Sequence, residues 1–425
     1  MKLQSLRGFR DILPDEAERW QRITDAARAV AAGFGYRQIH LPMLESTELF
    51  KRSVGEATDI VEKEMFSFLD RDKTHMSLRP EGTASCVRAG IEHGLLHNQQ
   101  QRFWYAGPMF RHERPQAGRY RQFHQFGIEA FGMADPACDI EVIALSAALW
   151  RALGLGGLTL EINSLGSPEC RAAYRNQLRD FLRGRADALD EDARKRIETN
   201  PLRVLDSKHP DTRAAIADAP SMEAAMDDDS RAHFGAVCEG LEALGIEWKL
   251  NSNLVRGLDY YTHTVFEWTT DRLGAQGTVC AGGRYDGLVA QLGGGDVPAV
   301  GFALGIERVA LLLAQDQADA AGEMPQVYLC WHGDECMTGA QQIGATLRAR
   351  GLRTVVNAGG GSFKAQFKRA DRSGAGWAVV LGPEELAAGT LQIKSLRARD
   401  AQRTLPTDEA VAYLQQALRD GQPNA

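Results

Sequence analysis

The chain has 425 residues with a formal net charge of −7, and 44% of its residues are hydrophobic and 25% charged. These values are typical of a globular protein of roughly two to four domains, and the acidic balance argues against a general nucleic-acid coat without excluding local basic patches. The sequence has no run of about 18 apolar residues and its N-terminus, MKLQSLRGFRDILPDE, has no apolar core or cleavage site, so we expect neither a membrane span nor a secretory signal.

The first predicted elements are a helix and a strand. Proline and two acids at 14–16 open the helix, apolar residues follow at helical spacing up to Phe34, and Gly35 ends it. Residues 36–41 then predict a strand that stops at Pro42.

Two further short strands are predicted at 62–68 and 76–78. The segment Arg79-Pro80-Glu81-Gly82-Thr83 follows, with Glu81 and Thr83 on one side of an extended stretch. The alternative is a turn before a helix that Thr83 could cap.

Residues 103–132 are the stretch around which we expect a site. An aromatic strand at 103–113 leads through a polar loop to a return strand, where alternation separates two faces. One face has Phe126, Ile128 and Ala130, and the other has Gln125, Gly127 and Glu129. A small polar ligand could lie over Gly127, between an amide and a carboxylate. An antiparallel hairpin with a solvated polar face is the alternative.

The same stretch is locally basic. Five arginines lie between positions 102 and 121, against the single acid Glu113. Guanidinium groups remain charged and can hold two phosphate oxygens at once, so this pattern favours a phosphate ligand.

The next predicted elements are a helix at 139–153 and a strand at 158–163. Residues 168–247 are charged and helix-prone, which we interpret as an inserted helical module. The β-rich pattern resumes at 254, with a strand at 264–268. A strand then runs through Gly305 into a helix whose apolar face is Ile306, Val309, Ala310 and Leu313.

Residues from about 326 to the end predict a separate domain. Strands and helices alternate from 326 to 419, which indicates a compact α/β domain with a largely parallel sheet. From Val327 to Ala425 there are 12 basic and 9 acidic residues, so this part is mildly basic.

Several peptides carry a resemblance to a known family. FRHE (110–113), with its loop and return strand, resembles motif 2 of the class II aminoacyl-tRNA synthetases, and RPQAGRYRQFHQFGIE (114–129) is similar to their histidine-specific branch. RGLDYY (256–261) and GGRYDGL (282–288) resemble the two signature peptides of that branch. GFALGIERVALLL (301–313) resembles motif 3, and the helix, strand and Pro42 resemble motif 1, which builds the homodimer interface in that family.

The resemblance implies a fold and domain plan. It implies an α+β catalytic domain with a mainly antiparallel sheet at 1–167 and 248–323, a helical insertion at 168–247, and a C-terminal α/β anticodon-binding domain at 326–425. In the family the insertion lies over the acceptor end of the tRNA; a stabilising appendage is the alternative here. An unrelated regulatory α/β domain is the alternative at the C-terminus.

The resemblance also implies a reaction and its residues. The reaction is ATP-dependent attachment of histidine to tRNA(His) through a histidyl-adenylate, by a cytoplasmic homodimer that uses Mg²⁺ with its ATP and has no metal site made by the protein alone. The implied histidine-binding residues are Glu81, Thr83, Gln125, Glu129, Tyr261 and Tyr285. The implied ATP-binding residues are Arg111, Glu113, Arg119 and Arg308. Arg111 and Arg256 are the implied catalytic cations at the α-phosphate, and Arg114 and Gln116 would meet the acceptor end of the tRNA.

Two alternative functions share parts of this resemblance. A regulatory, non-enzymatic relative, the histidyl-synthetase-like subunit of ATP phosphoribosyltransferase, lacks the C-terminal domain and degrades the signature peptides. A class II synthetase for another amino acid is disfavoured by the paired signature peptides.

Thiol and metal chemistry is not favoured. The seven cysteines are scattered without a CxxC motif, which suits reduced thiols in a cytoplasm. Cys330-Trp331-His332-Gly333-Asp334-Glu335-Cys336 has metal-ligating residue types, but the spacing fits no common zinc site.

Overall fold

The computed structural model describes residues 3–55, 58, 60–205, 207, 209–255, 258, 260–316, 324–398 and 402–419. The chain divides into two compact units, Met1–Ala318 and Asp319–Ala425, and each has its own hydrophobic core. Arg256, which the sequence predicts to be catalytic, lies outside the described residues. None of the helices in the described ranges is long and apolar enough to cross a membrane.

The larger unit combines strands and helices. Its strands are β1 (Arg37–Gln38), β2 (Leu44–Ser46), β3 (Ser67–Leu69), β4 (His75–Leu78), β5 (Gln101–Phe110), β6 (Gln122–Phe131), β7 (Thr159–Ser164), β8 (Trp248–Leu250), β9 (Thr262–Thr269), β10 (Thr278–Arg284) and β11 (Ala299–Gly305). Its helices are α1 (Pro14–Gly33), α2 (Thr47–Val54), α3 (Thr83–Glu92), α4 (Pro136–Leu153), α5 (Pro168–Arg183), α6 (Glu191–Thr199), α7 (Pro210–Ala215), α8 (Met222–Ala225), α9 (Asp228–Ala243), α10 (Leu288–Gln291) and α11 (Ile306–Gln315).

A large sheet organises this unit. Its eight strands lie in the order β1-β5-β6-β11-β10-β9-β7-β8. Only the outer pairs, β1 with β5 and β7 with β8, are parallel, so the prediction of a mainly antiparallel sheet is confirmed. The predicted hairpin is β5 and β6, paired from Gln101 opposite Phe131 to Phe110 opposite Gln122.

The two faces of β6 differ as the alternation predicts. Phe126, Ile128 and Ala130 are at most 1% exposed and belong to the core that packs under α1, α4 and α11. Gln125 and Glu129 point to the opposite face, where they line a cavity. The sheet therefore separates an apolar layer from a polar one.

Two predicted strands of the larger unit are shorter than expected. Only Arg37–Gln38 of 36–41 is a strand, because Pro42 has no N–H and only Ile39 N–H extends the pairing, donating to Trp104 O. Residues 62–68 begin as a π-helical turn, Ile60–Glu64, and become a strand only at Ser67–Leu69. The turn orients the Glu64 carbonyl to accept from His112 N–H at 2.6 Å.

Helices α5 to α9 follow β7 and precede β8, in the segment that the sequence predicts to be helical. Side chains cap their N-termini: Ser167 accepts from Cys170 N–H, and Asp227 accepts from Ser230 N–H. Helix α9 packs against α4.

The smaller unit contains β12 (Val327–Trp331), α12 (Cys336–Ala349), β13 (Thr354–Val356), α13 (Phe363–Arg372), β14 (Trp377–Leu381), α14 (Pro383–Ala388), β15 (Thr390–Ser395), β16 (Arg403–Pro406) and α15 (Thr407–Arg419). The sheet order is β13-β12-β14-β15-β16.

The prediction of a largely parallel sheet is correct for only half of this sheet. Strands β13, β12 and β14 are parallel, but β15 is antiparallel to β14 and to β16. The eight residues between Leu381 and Thr390 are too few for a parallel crossover, which needs about a dozen. Helix α14 and strand β16 are not among the predicted elements.

A buried ion pair joins β10 to α4. Arg284 and Asp139 are both 0% exposed, and Arg284 Nε donates to Asp139 Oδ2 at 3.1 Å. Burial acts to raise the pKa of Asp139, but His233, 3.4 Å away, and Arg284 together hold it below its ordinary value. The pair fixes the end of β10, directly before Tyr285.

We predict that Arg284→Met lowers the free energy of unfolding by about 3–5 kcal/mol, because it leaves the Asp139 carboxylate buried without its cation. Arg28→Met is the matched control, since Arg28 pairs with Asp25 on the exposed surface of α1 and such pairs contribute at most about 1 kcal/mol. Urea unfolding of the two variants measures the difference. Equal losses in the free energy of unfolding would show that the buried pair stabilises the protein no more than the exposed pair does.

Candidate functional site

A cavity of about 320 Å³ lies in the larger unit, over the polar face of β6. Ten of the predicted site residues line it: Glu81, Thr83, Arg111, Glu113, Arg119, Gln125, Glu129, Tyr261, Tyr285 and Arg308. Arg114 and Gln116 do not line it and are exposed on the loop between β5 and β6. Arg256 lies outside the described residues.

One end of the cavity is built around the Glu129 carboxylate, which is 1% exposed. Oε1 accepts from Thr83 Oγ1 at 2.7 Å and from Tyr105 Oη at 2.9 Å, and Tyr285 Oη donates to Oε2. Burial raises the pKa of Glu129 to about 8, against the effect of these three hydroxyl donors, which favour the carboxylate.

The backbone of β11 makes room for this carboxylate. Gly301 lies opposite Glu129 in the sheet, and a Cβ at Gly301 would be 2.0 Å from Glu129 Oε2 and 2.3 Å from Ile128 O. The space at Gly301 is therefore filled by the Glu129 carboxylate and is not open to a ligand.

Gly127 likewise makes room for a side chain rather than for a ligand. Tyr105 lies opposite it in the hairpin, and a Cβ at Gly127 would be 2.5 Å from the phenol Oη. A Cβ at Gly82 would be 2.2 Å from the same ring. The prediction of a ligand over Gly127 is therefore wrong, and Tyr105 is a site residue that the sequence did not predict. Counting back from the loop would have placed this tyrosine opposite the glycine.

Glu81 sits at the start of α3, where its carboxylate accepts from two backbone N–H groups, Thr83 at 2.6 Å and Ala84 at 2.9 Å. Glu81 thus caps the helix, not Thr83, whose hydroxyl is directed to Glu129 instead. Burial raises the pKa of Glu81, and these N–H groups oppose the shift. A buried carboxylate at the cavity wall offers a partner to a cationic ligand group.

Aromatic rings form the wall beside Glu129. The ring centroids of Tyr260 and Tyr261 are 4.7 Å apart, and that of Tyr285 is 6.4 Å from Tyr261. Gln125, four residues before Glu129 on β6, also lines the cavity, and its Oε1 is buried with no hydrogen-bond partner in the described part of the chain. These groups suit a flat ligand with polar N–H groups.

The other end of the cavity is cationic. Arg111 is oriented by a hydrogen bond from Nε to Pro80 O at 2.8 Å and by the Phe123 ring, 5.3 Å from its Cζ. Arg119 pairs with Glu113, and Arg308 Nη1 donates to Thr278 O. Burial lowers the pKa of Arg308, and the positive charges of Arg119 and Arg111 lower it further. Three guanidinium groups that repel one another would be stabilised by a polyanion.

The loop between β5 and β6 closes over this cationic end. Gln116 and Arg119 exchange backbone hydrogen bonds of 3.0 Å around a tight turn. Gly118, with φ of +71°, lies at the tip, where a Cβ would be 3.1 Å from Leu311 Cδ1 and 3.4 Å from Arg308 Cγ. The loop therefore rests on α11.

Comparisons with known proteins follow the same division of the chain. The family profile for histidyl-tRNA synthetase matches residues 8–309, and the profile for the anticodon binding domain matches residues 326–417. The histidine--tRNA ligase of Halorhodospira halophila (strain DSM 244 / SL1) is 57% identical over 413 residues, which cover 97% of each chain.

Solved structures agree with this similarity. The apo histidyl-tRNA synthetase of S. aureus has a TM-score of 0.82 and 33% identity, and the match covers 97% of this chain and 100% of that one. The histidyl-tRNA synthetase of Nostoc sp. PCC 7120 has a TM-score of 0.71, with coverage of 98% and 100%. At 20% identity, the second match supports the fold alone.

We predict that Glu129→Gln becomes more stable relative to the parent protein as pH rises. The pKa of Glu129 is about 8 in the folded chain and near its ordinary 4.5 when unfolded. The folded state therefore holds a proton that the unfolded state releases, and stability falls as pH rises from 4.5 through 8. Between pH 6 and pH 9 the variant should gain about 3 kcal/mol on the parent protein. Urea unfolding at the two pH values measures this gain.

Glu239→Gln is the matched control, because Glu239 is exposed on α9. It should follow the parent protein at both pH values. If the free energy of unfolding of Glu129→Gln changes with pH in the same way as that of the control, the pKa of Glu129 is not raised.

Proposed function

The chain belongs to the histidyl-tRNA synthetase family, and from this we propose that it activates histidine with ATP and attaches it to tRNA(His). The observation that carries the proposal is the polarity of one cavity. A buried carboxylate among hydroxyl groups lies at one end and three guanidinium groups lie at the other. A ligand that fills both ends has a polar flat ring and a polyphosphate.

We propose that histidine occupies the Glu129 end. Histidine binds the ionised form of Glu129, which accepts one ring N–H, and Tyr261 serves the second ring nitrogen. The α-ammonium group faces Glu81, with Thr83 and Gln125 beside it, since a buried carboxylate pairs well with a cation. A pocket built for polar pairing rejects side chains that lack these nitrogens by roughly 10⁴–10⁵.

The histidine carboxylate then points to the cationic end, where ATP binds. One of its oxygens attacks the α-phosphorus, the bond to the β-phosphate oxygen breaks, and pyrophosphate leaves with that electron pair. Negative charge accumulates during this step, so preorganised cations accelerate it. We assign this role to Arg111 and, from the sequence alone, to Arg256. Arg119, Arg308 and Glu113 bind the rest of ATP.

The adenylate then reacts with the tRNA. A ribose hydroxyl at the 3′ end attacks the histidyl carbonyl, and AMP leaves. Arg114 and Gln116 are exposed on the loop above the cavity, where we place the acceptor end. Bringing the two reactants together in this orientation supplies about 7–11 kcal/mol of the acceleration.

We propose that Mg²⁺ arrives with the ATP rather than at a site of the protein. Carboxylate oxygens suit Mg²⁺, and Glu113, Glu267 and Glu307 line the cavity. Each already has a partner, namely Arg119, Thr278 and His124 in that order. No cluster of three or more metal-ligating side chains occurs in the described residues. The ion supplies charge neutralisation on the phosphates.

The domain roles follow the same proposal. Residues 1–167 and 248–323 form the catalytic domain, 168–247 form an insertion near the acceptor end, and 326–425 read the anticodon. The matched anticodon-binding profile at 326–417 supports the last role. It also disfavours the regulatory relative, which lacks such a domain.

We further propose a cytoplasmic homodimer. Leu44, Phe68 and Leu69 on the small sheet β2-β4-β3 are 42%, 44% and 55% exposed, which supports burial against a second copy.

The seven cysteines are free thiols, which suits a reducing compartment.

We expect ATP–pyrophosphate exchange with histidine and with no other proteinogenic amino acid, because only histidine pairs with both Glu129 and Tyr261. The measurement is exchange of labelled pyrophosphate into ATP with each amino acid in turn. Exchange that depends on a different amino acid, or none with histidine, would overturn the proposed function.

Arg111→Gln and Arg256→Ala should each reduce histidine-dependent exchange by about 10²–10³-fold, as expected for loss of a preorganised charge. The thermal unfolding temperature should stay close to that of the parent protein. Arg28→Gln, on the exposed surface of α1, should keep normal exchange. Near-normal turnover by either active-site variant would refute its assigned role.

A further inference from the structure

The segment Leu6–Asp11 precedes α1 and lies against the loop between β5 and β6. We call it the N-terminal strap. Gly8 O accepts a hydrogen bond of 2.8 Å from Arg121 N–H. Gly8 has φ of +88°, and a Cβ there would be 2.7 Å from Arg121 Cγ. Only glycine allows the two backbones to approach so closely.

Arg10 makes the second contact between strap and loop. Its guanidinium lies over the Tyr120 ring, with Cζ 4.6 Å from the ring centroid. The same guanidinium is fixed from behind by both carboxylate oxygens of Glu16, in the first turn of α1, with Nη1 donating at 2.7 Å. Tyr120 lines the cavity. Arg10 therefore connects a rigid helix to a cavity residue.

Phe9 contacts the other limb of the loop through an intermediate ring. Its centroid is 6.0 Å from that of Phe66, which is 5.5 Å from the His112 ring, both at edge-to-face angles. His112 N–H donates to Glu64 O, two residues before Phe66. The strap thus contacts one end of the loop directly, at Tyr120 and Arg121, and is linked to the other end through Phe66.

This loop carries much of the proposed phosphate chemistry. Arg111, Glu113 and Arg119 all belong to it, and its tip rests on α11 beside Arg308. Inside the loop, Arg111 N–H donates to Arg121 O at 2.9 Å. The loop is therefore held by its own turn, by α11 and, on the outside, by the strap.

We propose that the N-terminal strap holds this loop in the conformation that binds the triphosphate, and that Arg10 is its positioning residue. The inference rests on the proposed function, because it concerns how the same cavity binds ATP. When only a fraction of molecules has the loop in place, the apparent affinity for ATP falls by that fraction. Saturating ATP restores the loop, so turnover is preserved.

The first experiment measures exchange kinetics of Arg10→Met. The KM for ATP should rise about tenfold, the size expected for loss of a partly desolvated cation–π contact and its anchor. The kcat should stay within about twofold, and the KM for histidine should not change, because the Glu129 end does not touch the strap. Arg10→Lys should recover part of the loss, and Arg28→Met, on the exposed side of α1, should behave as the parent protein.

A double variant tests the route through Tyr120. If Arg10 acts on the loop through this ring, Arg10→Met with Tyr120→Leu should raise the KM for ATP no further than Tyr120→Leu alone. Additive effects would overturn that route. An unchanged KM for ATP in Arg10→Met would overturn the proposal itself. So would a fall in kcat and a rise in the KM for histidine as large as the rise in the KM for ATP.

Limited trypsin digestion provides a readout that does not need the reaction. Arg111, Arg119 and Arg121 are the cleavable sites in the loop, since Arg114 precedes Pro115 and is resistant to trypsin. Arg119 is the reporting site, because it lies at the turn next to Gly118. Without ATP, Arg10→Met should be cut after Arg119 several-fold faster than the parent protein, while Arg28→Met should not. Equal rates of cleavage after Arg119 in Arg10→Met and the parent protein would refute the role of the strap, whether or not the protein catalyses exchange. Absence of histidine-dependent exchange in the parent protein would refute the proposed function, and it leaves the result of the digestion unaffected.

Discussion

A carboxylate that leaves water must find donors inside the protein, and Glu129 finds them in three hydroxyl groups from distant parts of the chain. Thr83 comes from the start of α3, Tyr105 from β5 and Tyr285 from the end of β10. These contacts bring the segments together at one point, because an unsatisfied buried carboxylate would cost several kcal/mol. The cavity has its shape because this requirement is met.

The rest of the site follows from the sheet. Strand β6 buries its apolar face under α1, α4 and α11, and this burial directs its polar face toward the cavity. Arg284 then ties β10 to α4 directly before Tyr285, so the hydroxyl that reaches Glu129 stands on a rigid support. The cationic end has less internal support, since its arginines lie partly on a loop. That loop is packed by the strap on one side and α11 on the other.

The sequence predicts the hairpin and its two faces well, because period-2 alternation in β6 is a local signal. What occupies the space at Gly127 follows from the register of the hairpin, which can be counted back from the loop. What occupies the space at Gly301 depends on which strand lies beside β11, and strand order is set by the whole sheet. The antiparallel pairing of β15 is different: the short connection after Leu381 is visible in the sequence, and its length already disfavours a parallel crossover.

Gly301 also limits how this cavity can be redesigned. Its missing side chain is replaced by the carboxylate of a neighbouring strand and by backbone, so even a methyl group at this position would displace Glu129. Libraries that seek to accept bulkier histidine analogues gain nothing from position 301. Trimming Thr83 or Tyr285 would open space beside Glu129, but each of these changes removes a donor from its carboxylate. If histidine binds as proposed, a larger pocket at either position therefore weakens the group to which we assign substrate selection.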